Sequence, residues 1–414
     1  MRVLYNDIWQ NAAITDSTEA SGYPGTNTQH KHLSKYWKPS TLSAEYIIGD
    51  FPGNNLIDRA DGESATTPAP TGEVAITLGN ASWARDAAFF HSGANSWKMT
   101  KTVAAGTSGN LYVANSIALG AMHGFIAGHT YLIGIWARLP SVGGPTGSGV
   151  SLGLNQSISG GALSYYGIAS SVATFDVWQL ISGTITANPN ATGVHERIII
   201  ASAEAIDVWF DIDDFFVIDL SIATNFADTL AIAGHNLTSL ATVKAQANDV
   251  NYWSPPMYSQ NGDPSDEVIY IPFPASIKRA FWRVYIDDPT NTDAFIRVGR
   301  IYLCNRWESA EEIDTGFNID VDDTTLLSDS ISGQTFADLG VRRRIYSFSM
   351  GTMKDATKVS LAAIAESAGP SDPVIVEPAV GIERIYALMS KQPVFTQAGG
   401  WTWKDDGLVF KEAL

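Results

Sequence analysis

Residues 221–247 read SIATNFADTLAIAGHNLTSLATVKAQA, and the reading of this stretch decides the fold. Thr229–Ala233 is a short apolar run, the right length for a buried strand and too short for a helix. Gly234-His235-Asn236 breaks it sharply, because glycine takes positive φ freely and asparagine tolerates it while capping the turn with its side chain. Ala241–Ala247 then alternates apolar and polar side chains, as a half-buried strand does. His235 could act as a base, but its neighbours make it a turn residue.

The rest of the composition agrees with a β-rich chain. Of 414 residues, 17% are charged and 11% aromatic, with 36 Gly, 18 Pro and 12 Trp. Few charges, many turn formers and many aromatics suit an all-β, adhesive protein better than a helical enzyme. The length predicts two to four domains with sizeable cores. A net charge of −17 argues against nucleic acid or an anionic membrane as partner, and Arg342-Arg343-Arg344 is too short a basic run to reverse that. The single cysteine, Cys304, excludes an intrachain disulfide and a thiolate metal cluster, and it sits in the apolar run Ile301–Cys304 as a small hydrophobe. MRVLYNDIWQNA lacks the pattern of a signal peptide, and no apolar run reaches membrane-spanning length. The expectation is synthesis in a cytoplasm, with exposure outside the cell only by assembly or lysis.

The decisive stretch has a counterpart upstream. Ala44–Asp50 (AEYIIGD) followed by Asp228–Leu237 (DTLAIAGHNL) resembles the opening of a discoidin-like β-sandwich found in minor tail proteins of tailed bacteriophages, where the two strands are almost contiguous. Here residues 51–220 separate them, enough for a whole domain. One sandwich is therefore expected to be interrupted by another. Asn27–Trp37 resembles an N-x-x-x-x-H-L-S-x-x-W element of the same family, which makes His30 and His32 turn and packing residues rather than metal ligands. Ala280–Asp287 (AFWRVYID) and Phe295–Leu303 (FIRVGRIYL) resemble later strands of the discoidin-like domain. The alternation in the first of these points Trp282, Val284 and Ile286 inward.

Within residues 51–220, four segments in order resemble jelly-roll carbohydrate-binding modules. They are His91–Met99 (HSGANSWKM), Thr130–Leu139 (TYLIGIWARL), Phe175–Thr186 (FDVWQLISGTIT) and Val208–Leu220 (VWFDIDDFFVIDL). The resemblance implies a structural calcium held by Asp213 with Ser92 nearby. Alternation along the strand puts Asp211 and Asp213 on one face and Asp214 on the other. The alternative is that these carboxylates are solvated and guard a sheet edge against aggregation. Sugar contacts in such modules use exposed aromatic faces. Trp83 beside a turn, and Tyr165 and Tyr166 after the Ser157–Ser164 loop, are the candidate ligand contacts, with plain loop packing as the alternative. Trp136 and Trp178 lie in apolar strands and are assigned to the core.

Residues 308–325 are acidic and irregular and read as a linker. Asn318–Asp322 looks like the start of an EF-hand loop but lacks its glycine and closing glutamate. Residues 326–414 form a third, mainly-β unit with one helix over 355–368, capped by Asp355 and stopped by Gly369. Lys404–Gly407 reads as a hairpin turn between Trp401–Trp403 and Leu408–Phe410. Gly333–Ser349, Pro373–Pro378 and Trp403–Leu414 resemble the C-terminal domain of the same phage proteins.

The predicted fold class is thus all-β: a discoidin-like (galactose-binding-like) sandwich from residues 1–50 and 221–307, an inserted jelly roll at 51–220, and a C-terminal β-rich domain. The resemblance implies a structural virion protein of a tail tip or baseplate. Its partners would be other tail subunits, copies of itself in threes or sixes, and a host-surface glycan. A polysaccharide-degrading enzyme needs two carboxylates about 5–10 Å apart in a cleft, and no acid/base, G-x-S-x-G, H-E-x-x-H or P-loop motif is present. A secreted bacterial adhesin built from the same modules is the third reading, and the missing signal peptide counts against it.

Overall fold

The computed structural model describes residues 1–51, 76–92, 94–113, 125–159, 163–221, 226–249, 251, 253–311, 317–329, 335–379, 382–399 and 402–413. The chain is all-β in character, with one α-helix, Asp355–Ala368, among the described residues.

The outer sandwich has a five-stranded sheet facing a three-stranded one. The first runs in the order Tyr258–Gly262, Thr242–Asn248, Phe281–Asp287, Glu45–Asp50 and Ala13–Asp16. The second sets Ala227–Ala233 between Val268–Ile277 and Arg300–Cys304. Trp9, Trp37, Ile47 and Phe51 from before the interruption share one core with Leu230, Ile232, Trp282 and Val284 from after it. The upstream strand Glu45–Asp50 is not a ladder neighbour of Ala227–Ala233. It pairs with Phe281–Asp287 in the opposite sheet and meets Ala227–Ala233 only through the core. The corner after Ala233 is made by Gly234 at φ +69°, and Asn236 ties it down by donating to Phe295 O (2.9 Å) and accepting from Arg297 N (2.7 Å). The His235 ring bonds Asp266 O at 2.9 Å, which makes it part of that corner.

Among the described residues, strands between Ile76 and Asp219 pair only with one another. They form two five-stranded sheets, one ordered Leu163–Ser170, Val150–Ile158, Ala191–Ile200, Gly109–Val113 and Ile76–Gly79. The other runs Trp178–Thr186, Thr130–Arg138, Trp209–Asp219, Ser96–Lys101 and Ala81–Asp86. Ile133, Ile135, Leu152, Leu154, Ile198 and Phe210 fill the space between them. This sandwich is pinned where it returns to the outer one. Lys278, almost fully buried, donates to Asp219 O at 2.8 Å, and Leu220 N donates to Thr130 O at 2.8 Å. A second buried lysine, Lys101, spends its ammonium on three carbonyls of one turn: Ala201 (3.2 Å), Ser202 (3.2 Å) and Glu204 (2.5 Å).

The C-terminal sheet departs from the expected boundaries in two ways. Arg2–Leu4, assigned by sequence to the outer sandwich, pairs with Arg306–Glu308 and Val374–Glu377 and so belongs to this sheet. Asn318–Asp323 is no linker but its terminal strand, paired with Arg342–Lys354. A hairpin at Lys404–Gly407 is also absent: Thr402–Glu412 is one long strand with an irregular register. The Asp405 carboxylate accepts from Val394 N and Gly407 N, and Gly407 sits at φ +122°, so the polar turn-like sequence is spent on a kink inside a strand. The helix starts after Lys354, with Asp355 in its first turn rather than as the capping residue, and ends at Gly369 with φ +55°.

Candidate functional site: the Tyr165 face and the His91 cluster

The inserted sandwich carries the candidate residues, and its topology separates them. Leu163–Ser170 and Trp178–Thr186 stack at one lateral edge, while Ile76–Gly79 and Ala81–Asp86 are the opposite edge strands of the same two sheets. Tyr165 and Tyr166 lie on the first edge and Trp83 on the second. They do not form one surface. The Trp83 side chain lies outside the described residues. Tyr165 and Tyr166 also diverge, since neighbours in a strand point to opposite faces. Tyr166 pairs with core-facing Leu154 and is 39% exposed on the edge strand; Tyr165 pairs with Asn155 on the outer face.

Around Tyr165 that outer face is built rather than incidental. Gly153 has no side chain there: a Cβ would stand 2.5 Å from the Tyr165 ring and 2.3 Å from Tyr166 O. The ring lies over the glycine, half-buried. The Arg197 guanidinium stands 5.3 Å from the ring centroid, within cation–π range, and donates to Asn155 Oδ1 at 3.4 Å. The Tyr165 hydroxyl has no hydrogen-bond partner among the described residues. Burial raises the phenol pKa and Arg197 opposes the rise. Asn155 and the Tyr165 hydroxyl are themselves buried, so what this face leaves open is part of the ring and of Arg197, a combination that can stack on an apolar sugar face and bond a hydroxyl. Gly153, Asn155 and Arg197 were not singled out by sequence. The alternation of Val194, Ile198 and Ile200 into the core was the available sign that Arg197 points outward.

Asp213 and Ser92 do come together, in a different arrangement from the expected one. A register shift between Asp213 and Phe216 and φ +47° at Asp214 form a bulge, so strict alternation fails. Both carboxylates then converge on one turn. His91 N and Ser92 N donate to Asp213 Oδ2 (2.8 and 3.1 Å), and Asp214 N donates to Asp213 Oδ1 (2.9 Å). Ser92 Oγ donates to Asp214 Oδ1 (2.6 Å), and His91 Nδ1 is 2.6 Å from Asp214 Oδ2. The His91 ring stacks on Trp136 with centroids 3.9 Å apart. Trp178, assigned by sequence to the core, is half-buried and meets the other side of His91 edge-on. Burial and the neighbouring Asp214 push Asp213 up to about 8, against the pull of the three N–H groups. Burial pushes Asp211 up to about 7, with Asp86 adding and Arg138 opposing.

Calcium takes six to eight oxygen ligands. Here every oxygen of the Asp213–Asp214 pair already meets an N–H, an O–H or the imidazole. Among the described residues no group of three or more His, Cys, Asp or Glu is placed to hold a metal. These carboxylates are engaged by hydrogen-bond donors of the 91–92 turn and of their own strand, an arrangement unlike the calcium site that the resemblance implies. His30 and His32 likewise stand together, ring centroids 5.4 Å apart, without a third ligand among the described residues.

No protein-family model matches the chain, and no curated protein sequence matches it. Solved structures do. The C-terminal family 22 carbohydrate binding module of Clostridium thermocellum Xyn10B is 15% identical, with 41% of this chain and 96% of that one covered, at a TM-score of 0.32. The CBM22-1 xylan-binding domain from Paenibacillus barcinonensis Xyn10C is 16% identical over 41% of this chain and 97% of that one, TM-score 0.31. A family 16 carbohydrate binding module is 14% identical over 40% and 99%, TM-score 0.27.

Proposed function

We propose that the chain is a structural subunit of a phage tail tip that presents its inserted sandwich to a host-surface glycan. The observation that carries the glycan reading is the Tyr165 face: an outward ring over Gly153, flanked by Arg197 and Asn155. Its chemistry suits a neutral polysaccharide, because the chain's net charge of −17 repels anionic ones. The inserted sandwich joins the outer one through the Asp219–Lys278 contact, so the module can hold a ligand while the outer sandwich and C-terminal sheet serve assembly. The tail-tip part of the reading is supported by the sequence resemblance at both ends of the chain, and with it an assembly of three or six copies.

Two experiments test the two halves. Affinity electrophoresis of the full chain through gels containing neutral polysaccharides should retard the wild type and not Tyr165→Ala; equal mobility in every gel rules out the glycan role. Antibody labelling of purified phage particles from the same source should mark the tail tip, and its absence there removes the virion role. Release of reducing ends in a polysaccharide digest would make the protein an enzyme instead.

A further inference from the structure

The Asn318–Asp323 strand ends the eight-stranded sheet. Arg342–Lys354 pairs with one side of it, and among the described residues nothing pairs with the other. Six residues of open edge offer backbone donors and acceptors over about 20 Å. All six are exposed or half-exposed, and Ile319 and Val321 are 50% and 64% exposed. The chain then continues into the hairpin Leu326–Asp329 with Thr335–Asp338, which among the described residues joins no larger sheet. Leu326, Leu339 and Val341 are exposed around it. Native proteins normally blunt or cover an edge of this kind, because it templates pairing with another strand.

The charge on the segment indicates the covering partner. Trp307–Val341 contains nine Asp and Glu and no Lys or Arg. Some of these carboxylates are matched within the chain: Glu308 by Arg2, Asp322 by Lys411 and Asp323 by Arg342. Asp320, in the middle of the open edge, and Asp338 on the hairpin have no ion pair among the described residues. We propose that this edge takes up an extended segment of a basic partner protein by strand addition. Aliphatic residues of the partner would cover Ile319 and Val321, and its Lys or Arg side chains would meet Asp320 and Asp338. A second copy of the same edge is a poor occupant. In-register antiparallel pairing sets Asp320 opposite itself, and a one-residue slip sets it opposite Val321. The proposal is independent of the glycan reading.

The test uses the full chain and two fluorescein-labelled synthetic peptides of identical composition. One alternates lysine and valine; the other has the lysines and valines in separate blocks. Fluorescence anisotropy should show the alternating peptide binding about tenfold more tightly than the block peptide, a preference lost in an Ile319→Lys/Val321→Lys variant. Both substitutions are at exposed edge positions, and an unchanged melting curve confirms the variant's fold. Equal binding of the two peptides, or a preference that survives in the variant, overturns the proposal. So does wild-type self-association in sedimentation that the variant abolishes, which would give the edge to a second copy.

Discussion

The Arg197 guanidinium stands 5.3 Å from the centroid of the Tyr165 ring, and the two residues come from strands separated by Val150–Ile158 in one sheet. The contact can span that intervening strand because Gly153 leaves its place empty. Gly153→Ala is therefore expected to act through Tyr165. Its Cβ would stand 2.3 Å from the Tyr166 backbone oxygen and 2.5 Å from the ring, so the ring and the edge strand that carries it must both shift. Titration calorimetry should show glycan affinity reduced about tenfold, with a stability loss of about 1–3 kcal/mol from the added bulk. Unchanged affinity would separate the ring's position from binding.

Asp211 and Asp213 make the inserted sandwich sensitive to pH in a defined direction. Their folded pKa values, about 7 and about 8, lie above the ordinary 3.8. The folded state therefore keeps protons that the unfolded state has released. Stability contributed this way is complete below about pH 4 and is lost as pH rises through 7 and 8. The melting temperature of the inserted sandwich should fall between pH 5 and pH 9 (roughly the span of these titrations), and Asp213→Asn should reduce the slope. A melting temperature that rises over that range contradicts the assignment. Calcium and a chelator should leave it unmoved at pH 7, because the carboxylates are already satisfied by hydrogen bonds.

Lys101 holds the 201–204 turn with three hydrogen bonds from one ammonium group. Lys101→Met keeps the stem but leaves three carbonyls without that donor. The expected cost is about 3 kcal/mol or more, read as a lower urea midpoint for the inserted sandwich. A neutral result would mean that water replaces the ammonium.

How legible these features are in the sequence follows from their range. Phe281–Asp287 and the Asp355–Ala368 helix are readable because each carries its own period and its own stops. Arg2–Leu4 joining a sheet with Val374–Glu377 is not, because pairing across more than 300 residues leaves no local pattern. The Asp213–Asp214 convergence is hidden for a different reason. A bulge is a break in alternation, and reading by alternation assigns its two residues to opposite faces. Asn318–Asp323 reads as a linker because its carboxylates mask a strand whose partner, Arg342–Lys354, supplies the opposite charges. Trp83 and Tyr165 look equally eligible as sugar contacts in sequence, and only the order of strands in the two sheets sets them at opposite edges.

The most direct test of the account is a side-by-side titration of full-length wild type, Tyr165→Ala and Trp83→Ala with whichever neutral polysaccharide retards the wild type. Tyr165→Ala should weaken binding by about tenfold or more while Trp83→Ala, at the far edge, binds as the wild type does. Binding that survives Tyr165→Ala and is lost in Trp83→Ala would contradict it.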